Sequence, residues 1–261
     1  MIDLHCHMLP GIDDGAPDLE TALQMARTAV DDGVTLTACT PHIYPGMFEN
    51  TVGGIRAALT AFRGELQNAG IPLEITMGAD IQIVPDLVEG LQEGRLPTLH
   101  GSRYFLFEPP HHVEPPGMLD LVHNVLNCGY VPVITHPERL TYVEAGYDQF
   151  TRAVEMGAWL QITGGSLCGR FGRRAQKVSE RFLGDGLVHL LASDGHNLGN
   201  RAPVLGEGRQ AAASLVGHEE ASRLVEGRPR LVIENRDPGE LPVSIAPSAS
   251  RGRGWFRSLF R

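Results

Sequence analysis

The sequence predicts an α/β chain wound into one parallel barrel. Short β-like runs alternate with helical patterns seven times along it. Its 261 residues, 42% hydrophobic and 20% charged, can bury one large core without covalent staples. No G-x-G-x-x-G follows a strand-like run, which argues against an open dinucleotide-binding sheet.

The first run, residues 1–7, precedes a helical pattern over 18–32, with Asp18 as N-cap and Gly33 where a C-terminal glycine belongs. The second, 36–40, precedes a helix over 50–69, capped by Asn50 and closed by Gly70. Runs 73–78 and 104–108 lead to helices over 85–93 and 116–128. Runs 131–135, 159–163 and 188–192 lead to helices over 148–156, 173–183 and 202–215. The strand-like runs are rich in Ile, Val, Leu, Phe and Thr and are bounded by Gly or Pro. Residues 1–241 are thus expected to form one domain. Residues 242–261 read as a flexible linker ending in a basic, aromatic tail.

The net charge of −9 argues against nucleic acid as a partner. Cys6, Cys39, Cys128 and Cys168 are scattered without metal-ligand pairing and read as reduced thiols. No apolar run reaches membrane-spanning length, and MIDLHCH has no leader character, so the expected location is the cytoplasm. The last fourteen residues carry four arginines and no acid. On a helix, Trp255, Phe256, Leu259 and Phe260 would share a face. Peripheral contact with the inner face of an anionic membrane is one reading of this tail, beside disorder or packing on the barrel or a second subunit.

Chemistry-bearing residues cluster at the strand ends. The first run delivers His5 and His7, the second His42, the third Asp80, the fourth Glu108, the fifth His136, and the seventh Asp194 and His196. Asp14 follows the first run in PGIDDG. In an α/β barrel the carboxyl ends of the strands share one mouth. His5 and His7, two apart on a strand, point the same way, with Cys6 opposite. Singly, H-x-H is an ordinary half-buried pair and D-D-G an ordinary turn. Jointly, nine buried-end imidazoles and carboxylates would each need a separate hydrogen-bond partner, whereas one metal cluster accounts for all of them. Five imidazoles and four carboxylates suit Mn²⁺, Fe²⁺, Zn²⁺ or Mg²⁺, and nine side chains suit two or three ions.

The segments MIDLHCHMLPGIDDG, TPH, FEPP, THPER, QITGGSLCGRFGRRA and ASDGHN, with Arg201 soon after, resemble the PHP (polymerase and histidinol phosphatase) family. The likeness is greatest to its bacterial protein-tyrosine phosphatase branch, the CpsB-type enzymes of capsular polysaccharide. The resemblance implies a distorted (β/α)₇ TIM-like barrel and a trinuclear centre, commonly of manganese. By that resemblance His5, His7, Glu108 and Asp194 would hold one ion. Asp80 and His136 would hold a second, with Glu108 bridging, and Asp14, His42 and His196 the third. The branch usually has Glu where this chain has Asp80, one methylene shorter. The implied substrate is phosphotyrosine on a protein, and the implied partner a membrane-associated tyrosine autokinase.

Guanidinium forks suit phosphate. Arg139, three residues past His136, and Arg201, five past His196, lie on mouth loops. Spacing alone leaves them equally well surface arginines, and the resemblance implies phosphate contacts. Two other activities compete. One is a different PHP-type phosphoesterase, acting for example on histidinol phosphate. The other is a cysteine-dependent phosphatase, since Cys168 and Arg174 read as C-x₅-R after a strand. Bulky Phe171 in the middle of that loop is ill suited to a phosphate cradle.

Overall fold

Among the described residues, seven parallel staves close into a barrel wall, and two of them are broken. The computed structural model describes residues 1–241 and 243. The basic aromatic tail read from the sequence lies outside the described residues.

In chain order the elements are β1 (Ile2–Cys6), α1 (Leu19–Asp31), β2 (Leu36–Cys39), β3 (His42–Ile43), α2 (Val52–Asn68), β4 (Glu74–Met77), β5 (Asp80–Gln82), α3 (Leu87–Gln92), β6 (Tyr104–Glu108), α4 (Met118–Asn127) and β7 (Val131–Thr135). There follow α5 (Tyr147–Met156), β8 (Trp159–Thr163), α6 (Gly164–Leu167), α7 (Gly172–Gly184), β9 (Leu190–Ala192), α8 (Gly206–Val216), α9 (His218–Ser222) and α10 (Arg228–Ile233). All strand pairs in the two sheets are parallel, in the orders β1-β2-β4 and β3-β5-β6-β7-β8-β9.

β3 continues the stave of β2, and β5 that of β4. Hydrogen bonds cross both breaks: Gly78 donates to Cys39 O at 3.0 Å and Asp80 to Pro41 O at 3.2 Å. The break at Gly78 tolerates no side chain, because a Cβ there would lie 2.8 Å from Leu99 and 2.9 Å from Thr40. Closure comes from β1 meeting the end of β9, where Asp194 donates to His5 O at 2.9 Å and His7 to Gly195 O at 2.8 Å.

Ile2, Leu4, Ala38, Tyr104, Leu106, Val131, Val133, Trp159 and Leu190 form an apolar plug inside the lower barrel. Alternate residues such as Phe105, Phe107, Leu160 and Ile162 face the helical layer in the larger core. Each such side chain, fully buried, contributes about 1.5–3 kcal/mol. The polar strand ends therefore stand on an apolar floor.

All seven expected strands and seven helices are present; the runs 104–108, 131–135 and 159–163 keep their ends, and the others shift. Asp18 caps α1, accepting from Thr21 N–H at 2.8 Å. Asn50 does not cap α2; Thr51 does, accepting from Gly54 N–H at 3.2 Å. The Asn50 amide instead donates to Ile12 O and His42 O, both at 2.9 Å, and ties two mouth loops together. α8 starts at Gly206, four residues later than its pattern. The preceding chain is drawn out to dock on Asp32, whose carboxylate accepts Gly206 N–H at 2.8 Å. Among the described residues, no helix is long and apolar enough to cross a membrane.

Candidate metal centre

The site begins with a bulge in β1. Asp3 pairs with Thr37 and Cys6 with Cys39, so β1 advances three residues while β2 advances two. The extra residue reverses the strand's alternation. Ile2 and Leu4 join the interior plug below, and His5 and His7 turn inward above it. Asp3 helps hold this stretch: its buried carboxylate accepts Ser193 N–H at 3.0 Å and His5 N–H at 3.3 Å.

Second-layer groups orient both rings. His5 Nδ1 donates to Gln161 Oε1 at 2.9 Å, and His7 Nδ1 to Asp13 Oδ2 at 2.7 Å. Each bond puts a ring proton on Nδ1, so Nε2 is the atom left to meet a cation or a second proton. The two Nε2 atoms then face each other across 3.1 Å. Asp80 Oδ2 lies 3.3 Å and Asp194 Oδ1 3.4 Å from His5 Nε2. The loop that carries Asp13 presses on β1 so closely that a Cβ on Gly15 would lie 2.0 Å from His7 O.

The remaining residues gather around this pair. His42 Nδ1 is 3.3 Å from Glu108 Oε2 and 3.6 Å from Asp80 Oδ2, while its Nε2 is 3.5 Å from Asp14 Oδ1. His196 Nε2 is 3.3 Å from the same Asp14 oxygen. His136 Nε2 is 3.7 Å from Asp80 Oδ2 and 3.9 Å from Glu108 Oε1. All nine sequence-predicted ligand candidates thus meet at one mouth. Among the described residues, four overlapping groups have ligand atoms within 4.8 Å of one another: His7, Asp14, His42 and His196; His5, His7 and Asp80; His42, Asp80 and Glu108; and Glu108, His111 and His136. Asp80, rather than Glu108, lies with His5 and His7, and Asp194 adjoins that pair.

The donor set fits divalent cations. Both Asp80 oxygens, Glu108 Oε2, His42 Nδ1, His136 Nδ1 and His196 Nε2 are buried without a hydrogen bond of good geometry. Buried polar atoms left so are costly. His136 and Asp194 also hold left-handed backbone, with φ of 33° and 49°. Such strain persists where the surroundings over-determine it, and it concentrates at functional sites.

The electrostatics lead the same way. Burial opposes charge on His5, yet Asp80 and Asp194 overcome it and raise its pKa to about 9. Burial likewise opposes charge on His42, but Glu108 and Asp80 raise it to about 10. Burial, with His196 and His42 nearby, lowers His7 to about 3. Burial and Arg139 lower His136 to about 3. Asp80 and Asp194 fall well below the carboxylate range despite burial, Asp80 through His5 and Asp194 through Arg139. Burial and the Asp80 charge push Glu108 up. The carboxylates demand positive charge, which the cluster can take up as protons on His5 and His42.

Arg139 and Arg201 both reach the centre, and in this structure both bind Asp194 Oδ2, Arg201 Nη2 at 2.8 Å. Arg139 rests over the Phe171 ring, 4.6 Å from its centroid. Arg174 Nη1 donates to Leu140 O at 3.0 Å, bracing the Arg139 loop. Cys168 ends α6, and burial raises its thiol pKa, opposed only by Arg170. A raised thiol and an arginine spent on a backbone carbonyl do not make a cysteine-phosphatase cradle.

Sequence reasoning missed Asp13, Gln161, His111 and Glu138. Asp13 stands beside the chosen Asp14, and residue type alone does not tell which of the two orients. Glu138, fully buried, accepts from Thr163 N–H at 2.9 Å and Ser166 Oγ at 2.7 Å, joining the THPER and ITGGSL segments. Its place within THPER was the available signal.

The family model for capsular polysaccharide synthesis, CpsB/CapC, matches residues 1–234. Tyrosine-protein phosphatase YwqE of Bacillus subtilis is 37% identical over 201 residues, covering 77% of this chain and 79% of that protein. A solved structure from work on YwqE of Bacillus subtilis and CpsB of Streptococcus pneumoniae, described as metal-dependent tyrosine phosphatases, superposes with a TM-score of 0.89. It is 33% identical and covers 94% of this chain and 98% of that one. A β-aspartyl dipeptidase of Fervidobacterium islandicum shares the fold alone, at 14% identity, a TM-score of 0.55, and coverage of 89% of this chain and 72% of that one. The chain belongs to the CpsB/CapC family of capsular polysaccharide synthesis.

Proposed function

We propose that this chain is a metal-dependent protein-tyrosine phosphatase. The observation that carries the reading is the gathering of His5, His7, Asp14, His42, Asp80, Glu108, His136, Asp194 and His196 at one mouth, in overlapping groups whose ligand atoms lie within 4.8 Å of one another or, for Asp194, against His5 and His7. So many buried carboxylates and imidazoles call for positive charge, which divalent cations supply. The likeness to curated tyrosine phosphatases supports the substrate class. In this reading the barrel, residues 1–241, is the catalytic unit. Its ligands are His5, His7, Asp14, His42, Asp80, Glu108, His136, Asp194 and His196. They would hold two or three ions, Mn²⁺ foremost, with Fe, Zn or Mg as other fits to nitrogen and oxygen donors.

When bound, such ions lower the pKa of a coordinated water and offset charge on phosphoryl oxygens. The chain's own groups do the rest. Arg139 and Arg201 turn their forks toward the phosphate, and Phe171 keeps Arg139 in place. Asp13 and Gln161 fix the rings of His7 and His5. A phenolate leaves with a pKa near 10, so it needs less protonation than an alkoxide. Met47, Val113 and Leu198 are exposed apolar side chains on loops leaving this end of the barrel, suited to a tyrosine ring and its flanking peptide. The partner is a tyrosine autokinase of capsule or exopolysaccharide synthesis, met in the cytoplasm at the membrane.

Turnover of a phosphotyrosine peptide beside phosphoserine peptide and histidinol phosphate tests the substrate class. Preference for phosphotyrosine is the expected result. Preference for histidinol phosphate would replace it with a small-molecule activity.

A further inference from the structure

We propose that His111 is a further metal ligand, serving the ion at Glu108 and His136. The inference rests on the metal reading above and goes beyond its nine ligands. Glu108 ends β6, and Pro109 and Pro110 follow it. Two prolines fix φ in succession, so the chain reaches His111 with little freedom. The His111 carbonyl then accepts both Thr141 N–H at 3.0 Å and Thr141 Oγ1 at 3.2 Å. Thr141 lies two residues past Arg139, so the His111 loop is fastened to the segment that carries His136.

The result is a specific spacing. Glu108 Oε1 lies 3.8 Å from His111 Nε2 and 3.9 Å from His136 Nε2. Both separations are too long for hydrogen bonds. Two metal–ligand bonds of about 2.1 Å span at most about 4.2 Å. A cation would span either separation, and the ligand atoms of Glu108, His111 and His136 all lie within 4.8 Å of one another. The two rings lie 5.2 Å apart, tilted by 37°. His111 and Glu108 also line an open cavity of about 330 Å³ with Tyr44, Gln82, Pro110 and Val113, so an ion there is reachable from solvent. An imidazole from a loop adds a neutral donor at the rim, where the ion is otherwise held by Glu108, His136 and the short Asp80 side chain.

Metal retention, rather than turnover, tests this. The full chain is loaded with Mn²⁺ or Co²⁺ and titrated with chelator, counting ions per chain by elemental analysis. His111→Ala should release one ion at a chelator concentration about 10-fold or more below wild type, with the visible Co²⁺ bands altered. His111→Glu, whose carboxylate reaches about as far as Nε2, should recover retention. The Thr141 bonds involve only the His111 backbone, so the melting temperature of the metal-free Ala variant should match wild type. An unchanged ion count, chelator midpoint and Co²⁺ spectrum in His111→Ala would overturn the inference and leave the nine-ligand reading standing. A wild-type chain that takes up no ion would overturn both.

Discussion

One oxygen of Asp13 holds two staves of the barrel in register: Oδ2 lies 2.7 Å from His7 Nδ1 and accepts His42 N–H at 3.1 Å. The first contact fixes the His7 ring; the second sets the backbone from which His42 projects. Asp13 thus shapes the centre without belonging to any of its ligand groups.

Asp13→Ala should therefore weaken metal binding by about 10–100-fold, the range for lost partners of ligating histidines. Chelator competition measures it. Wild-type affinity in the variant would show that packing alone orients His7.

Arg139→Ala and Arg201→Ala should each lower kcat/KM for a phosphotyrosine peptide by about 10²-fold or more. Inhibition by inorganic phosphate should weaken in parallel. Phe171→Leu should show a smaller loss in the same sense, because it removes the ring beneath Arg139. Wild-type kinetics in both arginine variants would reduce them to partners of Asp194.

The staves were legible because each buried run is continuous and each is bounded by glycine or proline. The breaks were not: β3 and β5 are two and three residues long, too short to carry a period. The bulge in β1 was hidden for a different reason. I-D-L-H-C-H alternates perfectly, so an unbroken strand that buries Ile2 and Leu4 in the barrel would turn His5 and His7 outward. Only the long-range pairing with β2 shows the inserted residue. The candidate ligands were legible by their gathering at strand ends. His111 was not, since its loop has no strand signal and its neighbours become relevant only through Thr141. Asn50 was misread because a side chain that could cap a helix locally found two carbonyls from other loops.

Cys168→Ser should keep activity within a few-fold, and thiol alkylation should not mimic chelation. Cys168 is exposed, its thiol pKa is raised rather than lowered, and Arg174 is engaged with Leu140 O. Loss of activity in Cys168→Ser with metals bound would move the chemistry to that loop.

His189 should contribute to acid sensitivity at the base of the barrel, away from the centre. Its ring stacks on Trp159 at 5.1 Å, and Nδ1 accepts Leu160 N–H at 3.2 Å. Burial and Arg228 lower its pKa from 6.5 to about 3. The folded state thus binds this proton less well than the unfolded chain. The stability it confers is complete above pH 6.5 and declines as pH falls from there toward about 3. One such group gives a slope of at most about 1.4 kcal/mol per pH unit. His189→Gln should flatten denaturant-derived stability against pH in that window; parallel curves would refute the assignment.

The most direct test of the account is phosphotyrosine-peptide turnover measured together with metal content, before and after chelation. The account predicts bound ions in the active protein, loss of turnover when they are removed, and recovery on adding Mn²⁺. It also predicts that His136→Ala and Asp194→Ala lose several orders of magnitude, since each leaves the charge cluster incomplete. Full turnover in excess chelator, with no metal by elemental analysis, would contradict it.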